Sequence, residues 1–433
     1  MSLLQGPMHH HLPGHKDLTM HKDVLKTIDP DVVWVPLYNG PTPCRPLVQI
    51  GDEVKVGTKI AERNDRFYLP VFSPVSGTVT AIEKFMTSGM AQGDHLRIQN
   101  DHKHEEVRAF EPFDYEKASW EELLDFVKNA GMCGLGGAGF PTYVKYLKPE
   151  NVDLFVVNAV ECEPYLTADY KNIEENMGLL KTGTLALFKL SKAKKGCVAI
   201  KEDKADQIAA LKTAFAETPI EIRTVPNFYP MGWERTLVFQ LTGKRYGMLP
   251  IEAGCILNNA STAIALGDAI TNGHPITHKY VTVSGDGIKN PQNVKVPVGT
   301  KACEIAAACG GYTAEDILLI AGGPMMGRTI PNDQFVIAHP NNGLTVIQNV
   351  KQPEVKCLRC GRCTETCPSG LQPVRINLAQ HAKNMDEIER LSVMDCIECG
   401  MCTYICPSKI EVTEGVRRAK TLLRAKQARG GKK

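Results

Sequence analysis

Two periodicities divide this chain. Between residues 46 and 110, short apolar runs are broken by Gly, Pro and Asn, which predicts small strands joined by tight turns. After residue 111 the spacing turns helical. Residues 117–130 place apolar side chains along one face of a helix. Ser119 stands at the N-cap, Glu122 at the capping-box position and Gly131 at the stop. The apolar run 154–160 follows, and further apolar runs alternate with helical stretches to about residue 270, an α/β pattern. Residues 281–285 and 294–299 read as strands, and 302–309 as a small-residue helix. Pro and Asn mark 339–354 as a linker, and 373–395 reads as helix. The pattern predicts a multidomain α/β and α+β chain. Its parts are an irregular arm (1–45), a strand-rich unit (46–110), an α/β core (111–272), a mixed module (273–338), the linker, and a mostly helical unit (355–433).

Length agrees with several domains, since 433 residues exceed what one core usually holds. A net charge of +2 argues against general nucleic-acid binding. Basic residues do gather at the end: eight lie between Gly415 and Lys433, with no acidic one. They suit either a solvated, frayed helical end or contact with an acidic partner or anionic lipid. No apolar run reaches the roughly 18 residues of a spanning helix. His9, His10, His11 and His15 suit flexible surface or a metal.

Fifteen cysteines, eight of them in two motifs, imply a reducing compartment and hence the cytoplasm. The motifs are Cys357-x-x-Cys360-x-x-Cys363-x-x-x-Cys367-Pro368 and Cys396-x-x-Cys399-x-x-Cys402-x-x-x-Cys406-Pro407. Each has the bacterial ferredoxin spacing for a [4Fe–4S] cluster, whose fourth cysteine ligates the other cluster in two-cluster proteins. The expected ligand sets are Cys357, Cys360, Cys363 and Cys406 for one cluster, and Cys396, Cys399, Cys402 and Cys367 for the other. Zinc needs four ligands, which two triplets each ending in Cys-Pro do not suit. Cys44, Cys133, Cys162, Cys197, Cys255, Cys303 and Cys309 show no ligand spacing and read as buried thiols.

Gly134-Leu135-Gly136-Gly137-Ala138-Gly139-Phe140 is the second chemical feature. It contains G-x-G-x-x-G, but a helix precedes it where a Rossmann site needs a strand, and no Gly-Lys-Ser/Thr follows as in a P-loop. So many glycines let backbone N–H groups approach a phosphate or a flat ring. Lys145, expected a turn or two into a following helix, can neutralise a phosphate. The other reading is a tight glycine turn with no ligand.

These strings resemble known families. Residues 48–60 and 70–79 look like the halves of a biotinyl/lipoyl-type barrel-sandwich hybrid. Asn64-Asp65-Arg66 stands where carrier domains of that family have their modified Lys, so a structural role is expected. The glycine loop resembles that of the NADH- and FMN-binding flavoprotein subunit of complex I. So do Asn158-Ala-Val-Glu161-Cys-Glu163-Pro164, Tyr229-Pro-Met-Gly232-Trp233-Glu234 and Asn259-Ala-Ser-Thr262. The resemblance implies that Gly134, Gly136, Gly137, Ala138, Gly139, Lys145, Asn158 and Glu161 hold FMN, and that Asn259 and Thr262 line the same pocket. Phe140, Glu163 and Glu234 would face NADH. Where that family has Glu-Glu, this chain has Trp233-Glu234. Residues 280–325 resemble the soluble-ligand-binding β-grasp module.

Barrel, flavin core, β-grasp module and two ferredoxin clusters, in that order, resemble the RnfC family of the Rnf electron-transport complex over nearly the whole chain. Gly14-His15-Lys16-Asp17-Leu18-Thr19 adds to the likeness. The resemblance implies an enzyme subunit on the cytoplasmic face of the membrane, peripheral and bound to membrane and iron–sulfur subunits. It would exchange hydride between NAD(H) and FMN, then pass single electrons through its clusters, reaching ferredoxin through a partner. Two other readings share features. A cobalamin-reductase flavoprotein of bacterial microcompartments has the flavin core and paired clusters, but its glycine loop lies near the N-terminus. A non-catalytic iron–sulfur relay draws support from Trp233.

Overall fold

The computed structural model describes residues 10–350 and 352–430. His9 of the histidine tract and Lys432 and Lys433 of the basic tail lie outside the described residues.

The strand-rich unit is a sandwich of two small antiparallel sheets. One orders Val32–Pro36, Gln92–Asn100, Gly77–Met86 and Glu53–Val54; the other orders Arg45–Pro46, Lys59–Asn64 and Tyr68–Phe72. Val33, Val35, Ile60, Val71, Leu96 and Ile98 fill the space between them. Val32–Pro36 pairs residue for residue with Gln99–His95, within the segment expected to be an irregular arm. This strand is buried along nearly its whole length, so it lacks the alternation that marks a half-exposed strand. Ahead of it, the arm crosses the molecule. Thr19 Oγ1 meets Thr167 Oγ1 at 2.6 Å, and Leu25 N donates to Asn293 O at 2.9 Å.

The α/β core is a parallel sheet ordered Ile220–Val225, Lys195–Lys201, Leu154–Asn158, Cys255–Asn259. Apolar clusters cover both of its faces, which explains the unbroken apolar strands. Helices Met177–Ser191 and Ala260–Asn272 touch through glycine. A Cβ on Gly183 would lie 1.8 Å from Ala263 O, and one on Gly267 2.0 Å from Leu179 O. Helix Trp120–Asn129 starts as expected. Glu122 N donates to Ser119 Oγ at 3.1 Å, and Ser119 N donates to Glu122 Oε2 at 2.7 Å. Leu123 and Val127 anchor it in the core.

The next module is a five-stranded sheet ordered Gln292–Pro297, His278–Ser284, Gly343–Gln348, Ile317–Ala321, Arg328–Ile330, with helix Ala302–Ala308 packed on it. Its central strand, Gly343–Gln348, falls inside the stretch expected to be a linker. Pro340-Asn341-Asn342 suggested a connection, but the apolar run Leu344–Ile347 just after it pairs on both sides.

The last unit is helical. The expected helix over 373–395 is broken into Pro373–His381, Met385–Arg390 and a 3₁₀ turn at Val393–Asp395. Helix Val412–Gly430 is no frayed end over its first half. Val416, Ala419 and Leu423 are buried, and Lys420 donates to Glu398 Oε1 at 2.6 Å and to Cys396 O at 2.9 Å. Among the described residues, no helix is long and apolar enough to cross a membrane.

Candidate flavin pocket and cluster sites

The glycine loop is held from three directions. Leu135 N donates to Thr262 Oγ1 at 3.0 Å, at the start of the helix that follows the edge strand of the parallel sheet. Lys279 Nζ of the β-grasp sheet donates to Leu135 O at 2.8 Å. Asn39 Nδ2 of the sandwich donates to Gly139 O at 2.7 Å and is itself held by Arg63 at 2.9 Å. Gly136, Gly137 and Ala138 are exposed between these anchors, so the loop presents backbone rather than side chains. Gly136 is tightly placed, since a Cβ there would lie 2.5 Å from Asn259 Nδ2 and would force that side chain to shift. The following segment is a 3₁₀ turn, Thr142–Tyr146, and not an α-helix. Lys145 rises from it with a third of its side chain exposed. Its Nζ donates to Leu257 O at 2.6 Å and lies 3.9 Å from Glu234 Oε1; burial lowers its pKa.

Asn158 and Asn259 end adjacent strands and are paired in register. They stand at the carboxyl edge of the parallel sheet, where α/β folds bind ligands. Asn158 Nδ2 donates to Gly232 O at 2.9 Å and its Oδ1 accepts from Val160 N at 2.9 Å. Asn259 Oδ1 caps its helix through Ser261 N at 2.8 Å, and its Nδ2 donates to Asp169 Oδ2 at 2.7 Å. Glu234 opens helix Glu234–Thr242, where the helix N-terminus favours its charge.

The other two carboxylates lie deeper. Glu161 Oε1 accepts from Asp169 N at 3.0 Å, and Lys16 Nζ approaches Glu161 Oε2 to 3.8 Å. Glu163 Oε1 accepts from Met325 N at 2.7 Å and Met326 N at 3.0 Å, and Tyr229 OH lies 3.4 Å from its Oε2. Burial raises the pKa of both carboxyls and lowers that of Lys16. Glu163 thus ties the α/β core to the β-grasp module. Phe140 is exposed and meets Phe67 edge-on, with ring centroids 5.4 Å apart.

The cysteines fall into an inner and an outer set. Cys367, Cys396, Cys399 and Cys402 line one cavity. Cys367 comes from the first motif and the other three from the second. Backbone amides already point at ligand sulfurs: Leu371 N to Cys367 Sγ at 3.4 Å and Glu398 N to Cys396 Sγ at 3.3 Å. Such donors suit a cluster's charged sulfurs. Burial pushes the Cys396 thiol up to about 11 and the Cys402 thiol to about 12, so binding a metal there must expel protons. This set abuts the flavin core: Tyr229 OH donates to Cys399 O at 2.7 Å, and Trp233 packs with Ile397, Cys399 and Met401. In the outer set Cys360 is exposed and Cys357, Cys363 and Cys406 are half-buried. Val355 N donates to Ser408 O at 3.1 Å, bringing the start of the first motif to the end of the second. Among the described residues, no three His, Cys, Asp or Glu side chains converge on a single-ion site; a four-iron cluster holds its thiolates farther apart than one ion does.

Exposed glycine backbone, a lysine and two strand-end asparagines fit a flavin mononucleotide, and the two thiol sets fit two iron–sulfur clusters. Sequence reasoning missed Asn39, Asp169 and Lys279, which act through the loop and its neighbours. Lys16 was legible only as part of the Gly14–Thr19 string. Asn39 and Lys279 come from other modules and Asp169 reaches Asn259 across 90 residues of the same core, so no local spacing marks them.

Comparison with known proteins agrees domain by domain. The RnfC barrel sandwich hybrid domain matches residues 8–103 and the Nuo51 FMN-binding domain residues 127–268. The SLBB domain matches 280–329, and the 4Fe-4S dicluster domain 349–407. The chain is 36% identical to the C component of the proton-translocating ferredoxin:NAD(+) oxidoreductase complex of Clostridium ljungdahlii, over 96% of this chain and 93% of that one. It is 35% identical to the Na(+)-translocating counterpart of Acetobacterium woodii, over 97% of both chains. Against the C component of the ion-translocating oxidoreductase complex of Rhodobacter capsulatus the figures are 34% identity, 97% of this chain and 83% of the relative. With such identity along nearly its whole length, the chain belongs to the RnfC family, a component of the ion-translocating ferredoxin:NAD+ oxidoreductase complexes.

Proposed function

We propose that the chain is the NAD(H)-linked electron-transfer subunit of such a complex, with its two cysteine sets acting in series, inner set next to the flavin and outer set next to a partner. FMN supplies hydride exchange with NAD(H) and single-electron release, and each [4Fe–4S] cluster supplies one-electron steps. The glycine loop, Lys145, Asn158, Glu161, Asn259 and Thr262 hold FMN. Phe140 and Glu234 face the dinucleotide. Glu163 has Oε1 engaged by the Met325 and Met326 amides and serves to fix the segment between flavin core and inner cluster. Trp233 packs against the Ile397 and Cys399 loop, which leaves Glu234 alone to meet Lys145. The cytoplasmic face of the membrane is the site of action, since NAD(H) and reducing conditions are found there.

The observation that carries the series order is the hydrogen bond from Tyr229 of the flavin core to Cys399 O, 2.7 Å, beside an exposed Cys360 at the other set. Cluster-by-cluster electron paramagnetic resonance tests it. In Cys360→Ala, NADH should still reduce the inner cluster. In Cys399→Ala, an intact outer cluster should stay oxidised on the timescale of wild-type reduction. NADH reduction of the outer cluster at the wild-type rate in Cys399→Ala would reverse the order.

A further inference from the structure

The two cluster-binding motifs are one loop used twice, and only one copy has its neighbour. Cys357-Leu358-Arg359-Cys360-Gly361-Arg362-Cys363 matches Cys396-Ile397-Glu398-Cys399-Gly400-Met401-Cys402 position for position. Their backbones agree as well: φ is 55° at Arg359 and 56° at Glu398, and 79° at both Gly361 and Gly400.

The inner copy docks on the rest of the chain. Ile397 is 8% exposed and Met401 1%, both packed with Tyr229 and Met325. Gly400 lies so close that a Cβ would meet Met325 O at 2.4 Å. Glu398 is held by Lys420 at 2.6 Å and Arg417 at 3.1 Å. In the outer copy the same positions are bare. Leu358 is 66% exposed, and among the described residues nothing lies within 4 Å of a Cβ on Gly361.

Charge distinguishes the copies further. The outer loop carries Lys356, Arg359 and Arg362, and the neighbouring turn carries Lys409 beside exposed Tyr404. All four cations are exposed. None makes a side-chain hydrogen bond or ion pair among the described residues. No carboxylate lies between 355 and 364 or between 404 and 409, while Glu354, Glu365 and Glu411 flank these stretches.

We propose that the outer loop is the docking face for an acidic one-electron redox protein. Leu358 and Gly361 meet the partner as Ile397 meets Tyr229 of the flavin core and Gly400 meets Met325 of the β-grasp module, and the four cations match its carboxylates. This rests on the series order given above. One electron crosses the interface per encounter; one centre is oxidised, the other reduced, and no bond forms or breaks. Charge complementarity of this kind sets encounter rate and orientation, and salt screens it.

The test uses the whole holoprotein and an acidic plant-type [2Fe–2S] ferredoxin, photoreduced, as a stand-in for the acidic partner, with NAD+ present. Stopped-flow oxidation of the ferredoxin should slow about tenfold between low and roughly half-molar salt. The variant Arg359→Glu with Arg362→Met copies the inner loop's own residues, so the loop can keep its fold. At low salt it should slow ferredoxin oxidation at least tenfold. Iron content and NADH-driven flavin bleaching should stay at wild-type levels. A salt-independent rate, or a wild-type rate in the double variant, would overturn the docking face. So would loss of binding to anionic phospholipid vesicles in that variant with the ferredoxin rate unchanged, since the patch would then be a lipid contact. Failure of NADH to bleach the wild-type flavin would instead strike the proposed function itself.

Discussion

Gly136 and Gly137 are adjacent, exposed and chemically identical, yet they should fail differently. At Gly136 a Cβ would sit 2.5 Å from Asn259 Nδ2. Asn259 cannot yield freely, because its oxygen caps the helix at Ser261 N and its nitrogen holds Asp169. Losing the cap costs about 1 kcal/mol. Losing the bond to a carboxylate costs about 1.5–3 kcal/mol. Partial relaxation leaves about 1–3 kcal/mol for Gly136→Ala in the flavin-free chain. At Gly137 nothing among the described residues lies within 4 Å of a Cβ and the backbone is not left-handed, so Gly137→Val should change flavin-free stability by no more than about 0.5 kcal/mol. Its branched side chain nonetheless stands where the loop backbone must approach the flavin. Loss of one charge-assisted hydrogen bond, about 1.5–3 kcal/mol, raises the FMN Kd tenfold or more. The assay pairs FMN fluorescence titration with hydrogen exchange at the Leu135 and Ser261 amides. Both variants should bind FMN at least tenfold more weakly; only Gly136→Ala should speed exchange. Wild-type FMN affinity in Gly137→Val would remove the loop from the flavin site. Unchanged exchange in Gly136→Ala would refute the Asn259 argument.

Cys360→Ala should lower bound iron to about half, and unchanged iron would refute its ligand role. Thr262→Val leaves the buried Leu135 N–H without its acceptor, a cost of about 1–3 kcal/mol; FMN titration should show weaker binding. Lys279 is buried and its pKa is depressed from 10.5 to about 8. Between those values the unfolded lysine keeps a proton that the folded one has shed, so its contribution to stability rises with pH from about 8 to about 10.5 and is most unfavourable below 8. Urea melts should show that rise, by at most about 3 kcal/mol, and Lys279→Met should abolish it. Glu163→Ala strands the Met325 and Met326 amides and should loosen the β-grasp contact; Glu163→Gln keeps an acceptor and should be milder by hydrogen exchange at those two amides.

The sequence was most legible where chemistry depends on local spacing. Both ferredoxin motifs, the capping box at Ser119 and the parallel strands could be read along the chain because each is complete within a few residues. Val32–Pro36 and Gly343–Gln348 escaped because both are short, nearly fully buried strands without alternation, set beside Pro and Asn. The site was partly legible for the same reason. Loop glycines and strand-end asparagines are local, but the loop is fixed by Lys279 and Asn39 from other modules. Glu163 shows the limit of carrying a role over by resemblance: its position in the string is clear, while its partners, Met325, Met326 and Tyr229, come from elsewhere in the chain.

Anaerobic optical titration of the purified chain with NADH, after its iron and flavin have been counted, tests the central claim most directly. Flavin bleaching followed by loss of cluster absorbance is the expected result, showing an NAD(H)-linked flavin wired to its clusters. A brown protein that NADH leaves unchanged, even after added FMN, would contradict it and leave a chain that only relays electrons.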